Sequence, residues 1–198
     1  MNIVCVYGSP IPTGNSATIA NAFLETARES GANIKTFELY TLKFSGCKAC
    51  MACKTGKEAC IIDDDLTRVL AAITKTDVLV LAAPIYGADV NAAMKAFVER
   101  THSFLGPGYG PLPGDSRLAP GKKMVLVIAQ GGTEDMQEDV YPKYKKFFGC
   151  YGFTESFLIR ACDLLISGDI RKKPEILQQA RNLAREICRM PMPVDHGE

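Results

Sequence analysis

The chain has 198 residues, of which 47% are hydrophobic and 23% charged, and its formal net charge is +1. This length supports one substantial domain with a buried core. A nearly neutral chain has no basic face, which argues against nucleic acid as a partner. No apolar run approaches the roughly 20 residues that span a bilayer, and no secretory leader pattern precedes the first strand. We therefore expect a cytoplasmic protein that binds neither nucleic acid nor a membrane.

Apolar runs of strand length alternate along the chain with segments of helical periodicity. The predicted strands cover residues 2–7, 33–39, 77–83, 124–129 and 153–159, and Pro84 is expected to end the third. The predicted helices cover residues 15–30, 66–73, 90–101, 134–148 and 176–187. This alternation predicts an α/β fold, a doubly wound five-stranded parallel sheet with helices on both faces.

The loop after the first strand is rich in hydroxyl groups and glycine. It leads into a helix, whose N-terminal N–H groups and partial positive charge bind phosphate well. The loop matches neither the dinucleotide nor the nucleoside triphosphate fingerprint and contains no lysine, which favours a phosphomonoester held by neutral donors. A helix cap at Asn15 or Ser16 is the structural alternative. The predicted phosphate-binding residues are Ser9, Pro10, Ile11, Thr13, Gly14, Asn15, Ser16 and Ala17.

Four cysteines lie within fourteen residues after the second strand: Cys47, Cys50, Cys53 and Cys60. Four closely spaced thiolates suit an iron–sulfur cluster or a structural zinc ion. In a reducing cytosol such a set is more typical of metal binding than of disulfides, and free or redox-labile thiols are the remaining alternative. Four lysines around this segment suit an acidic electron-carrier protein or simply a solvated face: Lys43, Lys48, Lys54 and Lys57.

Two further loops should meet the first one, because ligands of such sheets bind beyond the carboxyl ends of the strands, where the strand order reverses. After the third strand, Ile85 and Tyr86 can sandwich a planar heterocycle, or else pack on the following helix. After the fourth strand, two glycines leave backbone N–H groups open to a ring's carbonyl edge, or make only a tight turn. The predicted residues here are Pro84, Ile85, Tyr86, Gly87, Gln130, Gly131 and Gly132.

The order of these motifs resembles the NADPH-dependent FMN reductase family. The resemblance rests on Ser9-Pro10, Gly14-Asn15-Ser16, Pro84–Gly87 and residues 94–100, and with the cysteines it is closest to the iron–sulfur flavoprotein branch of that flavodoxin-like group. It implies FMN, with Ser9, Asn15 and Ser16 on the phosphate and Pro84–Gly87 beside the isoalloxazine. It also implies a 4Fe–4S cluster on the four cysteines.

Two departures from the family pattern concern the flavin. Ile11 stands where many members have an arginine. Members with a cluster often have a tryptophan after the P-I-Y turn, whereas this chain contains no tryptophan. The phosphate grip and the packing against one face of the ring are therefore expected to differ.

The resemblance implies an FMN-dependent oxidoreductase or electron-transfer flavoprotein that exchanges electrons with NAD(P)H or a reduced carrier. Hydride transfer to a flavin needs no side-chain acid or base, so no catalytic residue is predicted. A non-enzymatic flavin-binding or thiol/zinc redox-sensing module is the alternative.

We also expect assembly and a simple domain organisation. The resemblance implies a homo-oligomer that brings cluster and flavin together across subunits. A long Gly/Pro loop at 106–121 and an aromatic helix provide additional apolar surface, which predicts a homodimer or a dimer of dimers. The aromatic residues are Tyr141, Tyr144, Phe147 and Phe148. Residues 1–190 should form one domain with a cysteine-rich insertion at 43–65, and 191–198 a loose tail.

Overall fold

The computed structural model of the chain describes residues 1–107 and 115–189. Its strands are β1 (Asn2–Tyr7), β2 (Asn33–Glu38), β3 (Val78–Tyr86), β4 (Asp89–Val90), β5 (Lys122–Ala129) and β6 (Phe153–Ala161). Its helices are α1 (Asn15–Glu29), α2 (Leu66–Thr74), α3 (Ala92–Arg100), α4 (Val140–Gly149) and α5 (Pro174–Cys188). The predicted tail at 191–198 and positions 108–114 of the predicted Gly/Pro loop lie outside the described residues.

The five long strands are parallel and lie in the order β2-β1-β3-β5-β6. β1 pairs with β2 on one side and with β3 on the other, so the strand order reverses at β1. The carboxyl ends meet at one edge, where Tyr7 is in register with Ala82 and Pro84 with Ala129. This arrangement is the predicted flavodoxin-like, doubly wound sheet with helices.

Each strand sends alternate side chains into two separate cores, because side chains in a strand alternate with a period of two. Val4 and Val6 of β1 join the core that contains residues of α2, α3 and α4. Ile3 and Cys5 of the same strand join the core that contains residues of α1 and α5. The unbroken apolar runs in the sequence follow from this burial on both faces.

The end of β3 differs from the prediction. The strand does not end at Pro84 but continues to Tyr86 and pairs with the short antiparallel strand β4. Pro84 has no N–H to donate, but its carbonyl accepts a hydrogen bond from the N–H of Asn91 just after β4. The two linking residues, Gly87 and Ala88, have φ angles of +58° and +68°, and positive φ at both positions defines a hairpin turn that suits the twist of the strands.

Helix α4 is shorter than predicted, beginning at Val140 rather than near residue 134. Gln137 has a φ of +57° just before it, which a helix does not tolerate. Pro142 lies in the first turn, where a missing N–H costs nothing. Among the described residues, no helix is long and apolar enough to cross a bilayer.

Candidate functional site

Four loops enclose a crevice of about 170 Å³ at the carboxyl ends of the strands. We call it the strand-end crevice. Three of the loops are those predicted from the sequence, and the fourth follows β6. The residues that line it are Ser9, Ile11, Gly14, Asn15, Ser16, Pro84, Ile85, Tyr86, Ala129, Gly131, Leu164, Leu165, Ile166 and Ser167.

The start of α1 forms one wall of the crevice and has no side-chain cap. Gly14 is the N-cap residue, so the structural alternative of a cap at Asn15 or Ser16 is wrong. The first N–H groups of a helix have no partner within the helix, and an uncapped start leaves them for a ligand. The Ser9 hydroxyl instead folds its own loop, since it accepts the N–H of Ile11 and donates to its carbonyl, both at 3.1 Å.

Gly14 allows this loop to close tightly. A Cβ at this position would lie 2.9 Å from Ser9 Oγ and 3.0 Å from the carbonyl oxygen of Ile11. Both distances are too short for ordinary contact. Glycine is therefore required here by the close approach of the loop, although its φ of −65° is one that any residue can adopt.

The side chain of Asn15 faces the fourth loop rather than standing free for a phosphate. Its Nδ2 donates to the carbonyl of Ile166 at 2.9 Å, and its Oδ1 accepts the N–H groups of Gly168 and Ile170 at 3.0 and 3.2 Å. These bonds link positions more than 150 apart in the chain. Asn15 thus holds the loop after β6 against the start of α1.

The fourth loop was missed by sequence reasoning. Its tip is unusually exposed for apolar side chains: Leu165 is 82% and Ile166 67% accessible. The signal was present, because this loop follows a fifth parallel strand and therefore lies at the same edge of the sheet as the other three. An exposed apolar pair at a ligand-binding edge suits a planar, apolar ring.

The end of β3, predicted as the second loop, gives the crevice an apolar rim. Tyr86 is 53% exposed and Ile85 half-buried, and both contribute to the lining. The combination of an uncapped helix start and an apolar rim fits a phosphomonoester joined to a planar ring. FMN is such a molecule, so the residues present fit it.

Six of the predicted residues do not line the crevice. The side chain of Gln130 is buried and braces the third loop: it donates to the carbonyls of Thr133 and Met136 and accepts from Arg160. Ala17 is buried in the core on the α1 face. The remaining four are Pro10, Thr13, Gly87 and Gly132.

The four clustered cysteines line one cavity of about 110 Å³, here called the cysteine cavity. All four thiols are free. Two residues between them, Ala49 and Met51, have φ angles of +50° and +60°, so the chain turns sharply at these points. Four thiols around one cavity fit the chemistry of an iron–sulfur cluster or zinc. In the described residues, however, no three His, Cys, Asp or Glu side chains are arranged to hold a metal ion.

A buried arginine fastens the cysteine segment to α3. Arg100, only 1% exposed, pairs with Asp64 through two hydrogen bonds of 2.6 and 3.1 Å. Burial alone would raise the pKa of Asp64, but the hydrogen bonds from Arg100 and from the N–H of Ser45 hold it below its ordinary value. Asp64 Oδ1 also accepts the N–H of Leu66 at the start of α2, as expected for an aspartate before a helix.

Two further cations fasten the same segment to residues 102–105. Lys54 is buried, contrary to the expectation of a solvated face, and its Nζ donates to the carbonyls of His102 and Leu105 at 2.8 and 2.7 Å. Burial lowers the pKa of its ammonium group. The guanidinium of Arg117 donates to four carbonyls, those of Cys53, Lys57, Ser103 and Leu105. Lys43, Lys48 and Lys57 are exposed, as predicted.

A third cavity of about 400 Å³ lies between α3 and α4 and shares Cys47, Glu99 and His102 with the cysteine cavity. Of the aromatic residues predicted as surface, Tyr144 and Phe148 are buried in the chain's own core, so that expectation is wrong for them. Tyr141 and Phe147 are half-buried. The aromatic helix therefore provides less apolar surface for assembly than its sequence indicates.

Known proteins resemble this chain in sequence. A family model described as the flavodoxin-like fold matches residues 1–187. An iron–sulfur flavoprotein of Methanosarcina thermophila is 34% identical over 101 residues, which are 51% of this chain and 52% of that protein. An FMN-dependent NADH:quinone oxidoreductase of Thiobacillus denitrificans is 34% identical over 113 residues, 54% of this chain and 52% of that protein. The chain thus spans about half the length of the curated relatives it matches.

Solved structures agree in fold. An FMN-dependent NADH-azoreductase of Bacillus anthracis, solved in complex with FMN, superposes with a TM-score of 0.75 at 14% identity, over 96% of this chain and 100% of that chain. At that identity the likeness establishes the fold alone. Since the family model covers nearly all of the sequence, the chain belongs to the flavodoxin-like fold family, which confirms the family expected from its motifs.

Proposed function

We propose that the protein is an FMN-dependent oxidoreductase or electron-transfer flavoprotein that passes electrons between NAD(P)H or a reduced carrier, FMN and a 4Fe–4S cluster. The observation that carries the flavin proposal is the strand-end crevice, in which an uncapped helix start faces an apolar rim. The names of the matched relatives point to the same chemistry.

Different residues of the crevice would hold the phosphate and the ring of FMN. The first N–H groups of α1, with Ser16, would hold the phosphate, while Ser9 shapes the loop beside it. Tyr86 and Leu165, from opposite loops, would enclose the ring, while Gly131 leaves backbone groups open to its polar edge. FMN, when bound, supplies both two-electron and one-electron transfer. The protein would then need only to orient the ring and exclude water.

A comparison of FMN with riboflavin tests the phosphate site. FMN should bind tightly and noncovalently at about one per subunit, and riboflavin much more weakly, because only FMN carries a group for the helix start. Flavin fluorescence titration measures both affinities. Equal affinities would contradict the phosphate site.

Two glycine substitutions, one of them a control, make this test more specific. Gly14→Ala places a Cβ against Ser9 Oγ and should weaken FMN more than riboflavin. Gly149→Ala is the matched control, because a Cβ there has no neighbour within 4 Å and the site lies at the end of α4. If both substitutions change FMN affinity alike, the loop around Gly14 does not hold the phosphate.

The cluster is tested with protein purified without oxygen. Replacing any one of Cys47, Cys50, Cys53 or Cys60 by Ala should abolish bound iron and acid-labile sulfide while flavin stays bound. Replacing Cys188, a half-buried cysteine of α5, should leave the iron content intact. Wild-type protein with neither iron nor sulfide would rule out the cluster.

A thiol or zinc redox module is the second candidate. Its thiol form is favoured by one observation: the four thiols line a common cavity but, among the described residues, are not arranged as a ligand set, which suits oxidation of free thiols better than either metal. One zinc per chain without sulfide would support this reading over the cluster. An absorbance spectrum separates the two, since a cluster absorbs broadly in the visible and zinc does not.

We infer that the working unit is a homodimer or a dimer of dimers. The Asn91 side chain donates to the Gly8 carbonyl beside the crevice, whereas Arg100 contacts the cysteine cavity. These residues lie at opposite ends of α3, about 14 Å apart at the rise of an α-helix, so a second subunit would shorten the path. Light scattering showing a flavin-loaded, reducible 21.5 kDa monomer would contradict the proposed oligomer.

The exposed lysines of the cysteine segment would receive a small acidic carrier protein.

A further inference from the structure

Arg100 uses every one of its hydrogen-bond donors on the cysteine segment. A guanidinium has five N–H donors. Besides the two bonds to Asp64, one donor goes to the carbonyl of Ser45, one to that of Ile62, both at 3.0 Å, and the Nε–H goes to Cys60 Sγ at 3.1 Å. No donor is left for any other part of the molecule.

These partners stand on both sides of the cysteines. Ser45 precedes Cys47, and Ile62 follows Cys60. One planar side chain, supplied by the end of α3, therefore closes the base of the loop that carries all four thiols. A lysine could not do so, because it has three donors on a single atom and no planar fork.

The bond to sulfur is the one that a purely structural arginine would not need. The buried charge is already compensated by Asp64, and the loop ends are already joined through Ser45 and Ile62. The remaining donor points at a thiol that lines the cysteine cavity. Hydrogen bonds to ligand sulfurs are a principal means by which proteins set the potentials of iron–sulfur clusters.

We propose that Arg100 is a positioning residue for the cysteine cavity, which closes the base of the cysteine loop and, through Nε–H, fixes Cys60 and stabilises negative charge on its sulfur. The first part stands on the contacts alone, and the second rests on the proposed cluster. Because the bond favours the more negative, reduced form of a bound cluster, it raises the midpoint potential.

Two substitutions separate the sulfur bond from the ion pair. Arg100→Lys keeps the positive charge but loses the Nε–H and the fork. Asp64→Asn removes the ion pair but leaves Arg100 able to reach Cys60, Ser45 and Ile62, and the Asn oxygen can still accept. If Arg100→Lys fails to fold, the double variant Arg100→Met with Asp64→Asn replaces it, because no unpaired charge is then buried.

Hydrogen exchange of the full-length protein, with iron removed by a chelator, tests the closure of the loop. Protection of the amides between Cys47 and Cys60 should fall about tenfold in Arg100→Lys, the factor for one charge-assisted hydrogen bond. In Asp64→Asn it should fall as well, because that variant leaves the buried charge of Arg100 unpaired. The control is Lys95→Met, which breaks an exposed pair on the same helix and should leave protection within about twofold. Unchanged protection in Arg100→Lys, or an equal fall in α5, would overturn the positioning role.

The midpoint potential of the cluster-loaded protein tests the sulfur bond. In a spectroelectrochemical titration it should be lower in Arg100→Lys than in wild type, and not lower in Asp64→Asn, because removing a nearby negative charge does not disfavour the reduced form. A potential that is equal in Arg100→Lys and wild type would overturn the role at sulfur. If the wild-type protein holds no iron, the proposed cluster fails, whereas hydrogen exchange still decides whether Arg100 closes the loop.

Discussion

The strand-end crevice takes its shape from loops that bond mainly to themselves and to each other. The cysteine cavity is held instead by three cationic side chains that join the cysteine segment to distant parts of the chain. In the crevice, Ser9 folds its own loop and Asn15 joins two loops that the sheet has already placed together. Around the cysteines, Arg100, Lys54 and Arg117 donate to carbonyls and to a sulfur across long separations in sequence.

The difference shows what each site depends on. The position of the crevice follows from the topology of the sheet, because the ends of parallel strands meet at one edge. The cysteine cavity has no strand ends to place it and depends on a few side chains that can be removed one at a time. We call Arg100, Lys54 and Arg117 the frame of the cavity. Substitutions in this frame should therefore change the free energy of unfolding more than substitutions in the crevice.

Arg100→Met should have the largest effect. It leaves the Asp64 carboxylate nearly buried without its partner, which costs about 3–5 kcal/mol of unfolding free energy. Urea unfolding followed by circular dichroism measures it. The matched control is Lys95→Met on the same helix, which breaks an exposed pair with Glu99 and should cost less than about 1 kcal/mol. Similar costs for both would remove the contrast between frame and surface.

Arg117→Lys should come next. Four carbonyls now bonded to one guanidinium would compete for three donors, at a cost of about 1–3 kcal/mol. Trypsin should also cleave faster within the cysteine segment, which has an exposed lysine at Lys57. Arg68→Lys, at a 61% exposed side chain paired with Asp65, is the control and should leave the cleavage rate unchanged. A cleavage rate that Arg117→Lys leaves unaltered would contradict its role in the frame.

Asn15→Ala tests the crevice. It should weaken the binding of FMN by about 1–2 kcal/mol and the binding of riboflavin by a similar amount. Both flavins should be affected because Asn15 holds the loop after β6 rather than the phosphate itself. Asn182→Ala on α5, whose side chain bonds only within that helix in the contacts described, is the control for a lost amide. If FMN is weakened and riboflavin is not, the direct phosphate contact implied by the family resemblance is correct instead.

The smallest effect is a pH dependence from Asp64. Its folded-state pKa lies below the ordinary value of 3.8, so its stabilising contribution is complete above that value and is lost as the pH falls through the lowered one. The difference in unfolding free energy between wild type and Asp64→Asn should therefore shrink below about pH 4. A difference that stays constant from pH 6 to about pH 3 would show that Asp64 does not titrate this way.

The sheet and most of the crevice could be predicted from the sequence, because they depend on local patterns. Unbroken apolar runs indicate strands buried on both faces, and glycine and hydroxyl residues after them indicate ligand loops. The hairpin beyond Pro84 could not be predicted, since it requires Ala88 to adopt a positive φ, which few non-glycine residues do. Gln130 was assigned to the crevice from its place in a loop, yet the loop's own carbonyls satisfy its amide.

The frame of the cysteine cavity was out of reach of such patterns. Lys54 looks like any exposed lysine in a charged segment, and Arg100 like the end of an amphipathic helix. Their burial depends on carbonyls that only the folded chain brings to them, 38 to 55 positions away in sequence. The cysteine spacing indicates the chemistry of the loop but not the means by which it is fastened.

The cations that fasten the cysteine loop also determine which other residues would have to be transplanted with it into another protein. Arg100 and Arg117 belong to the stretch around the end of α3, and the carbonyls that hold Lys54 belong to it as well. Transplanting residues 43–65 alone into a related flavodoxin-like protein would leave behind both arginines and the carbonyls that accept from Lys54. The loop should therefore vary together with residues 100–105 and Arg117 when homologous sequences are aligned.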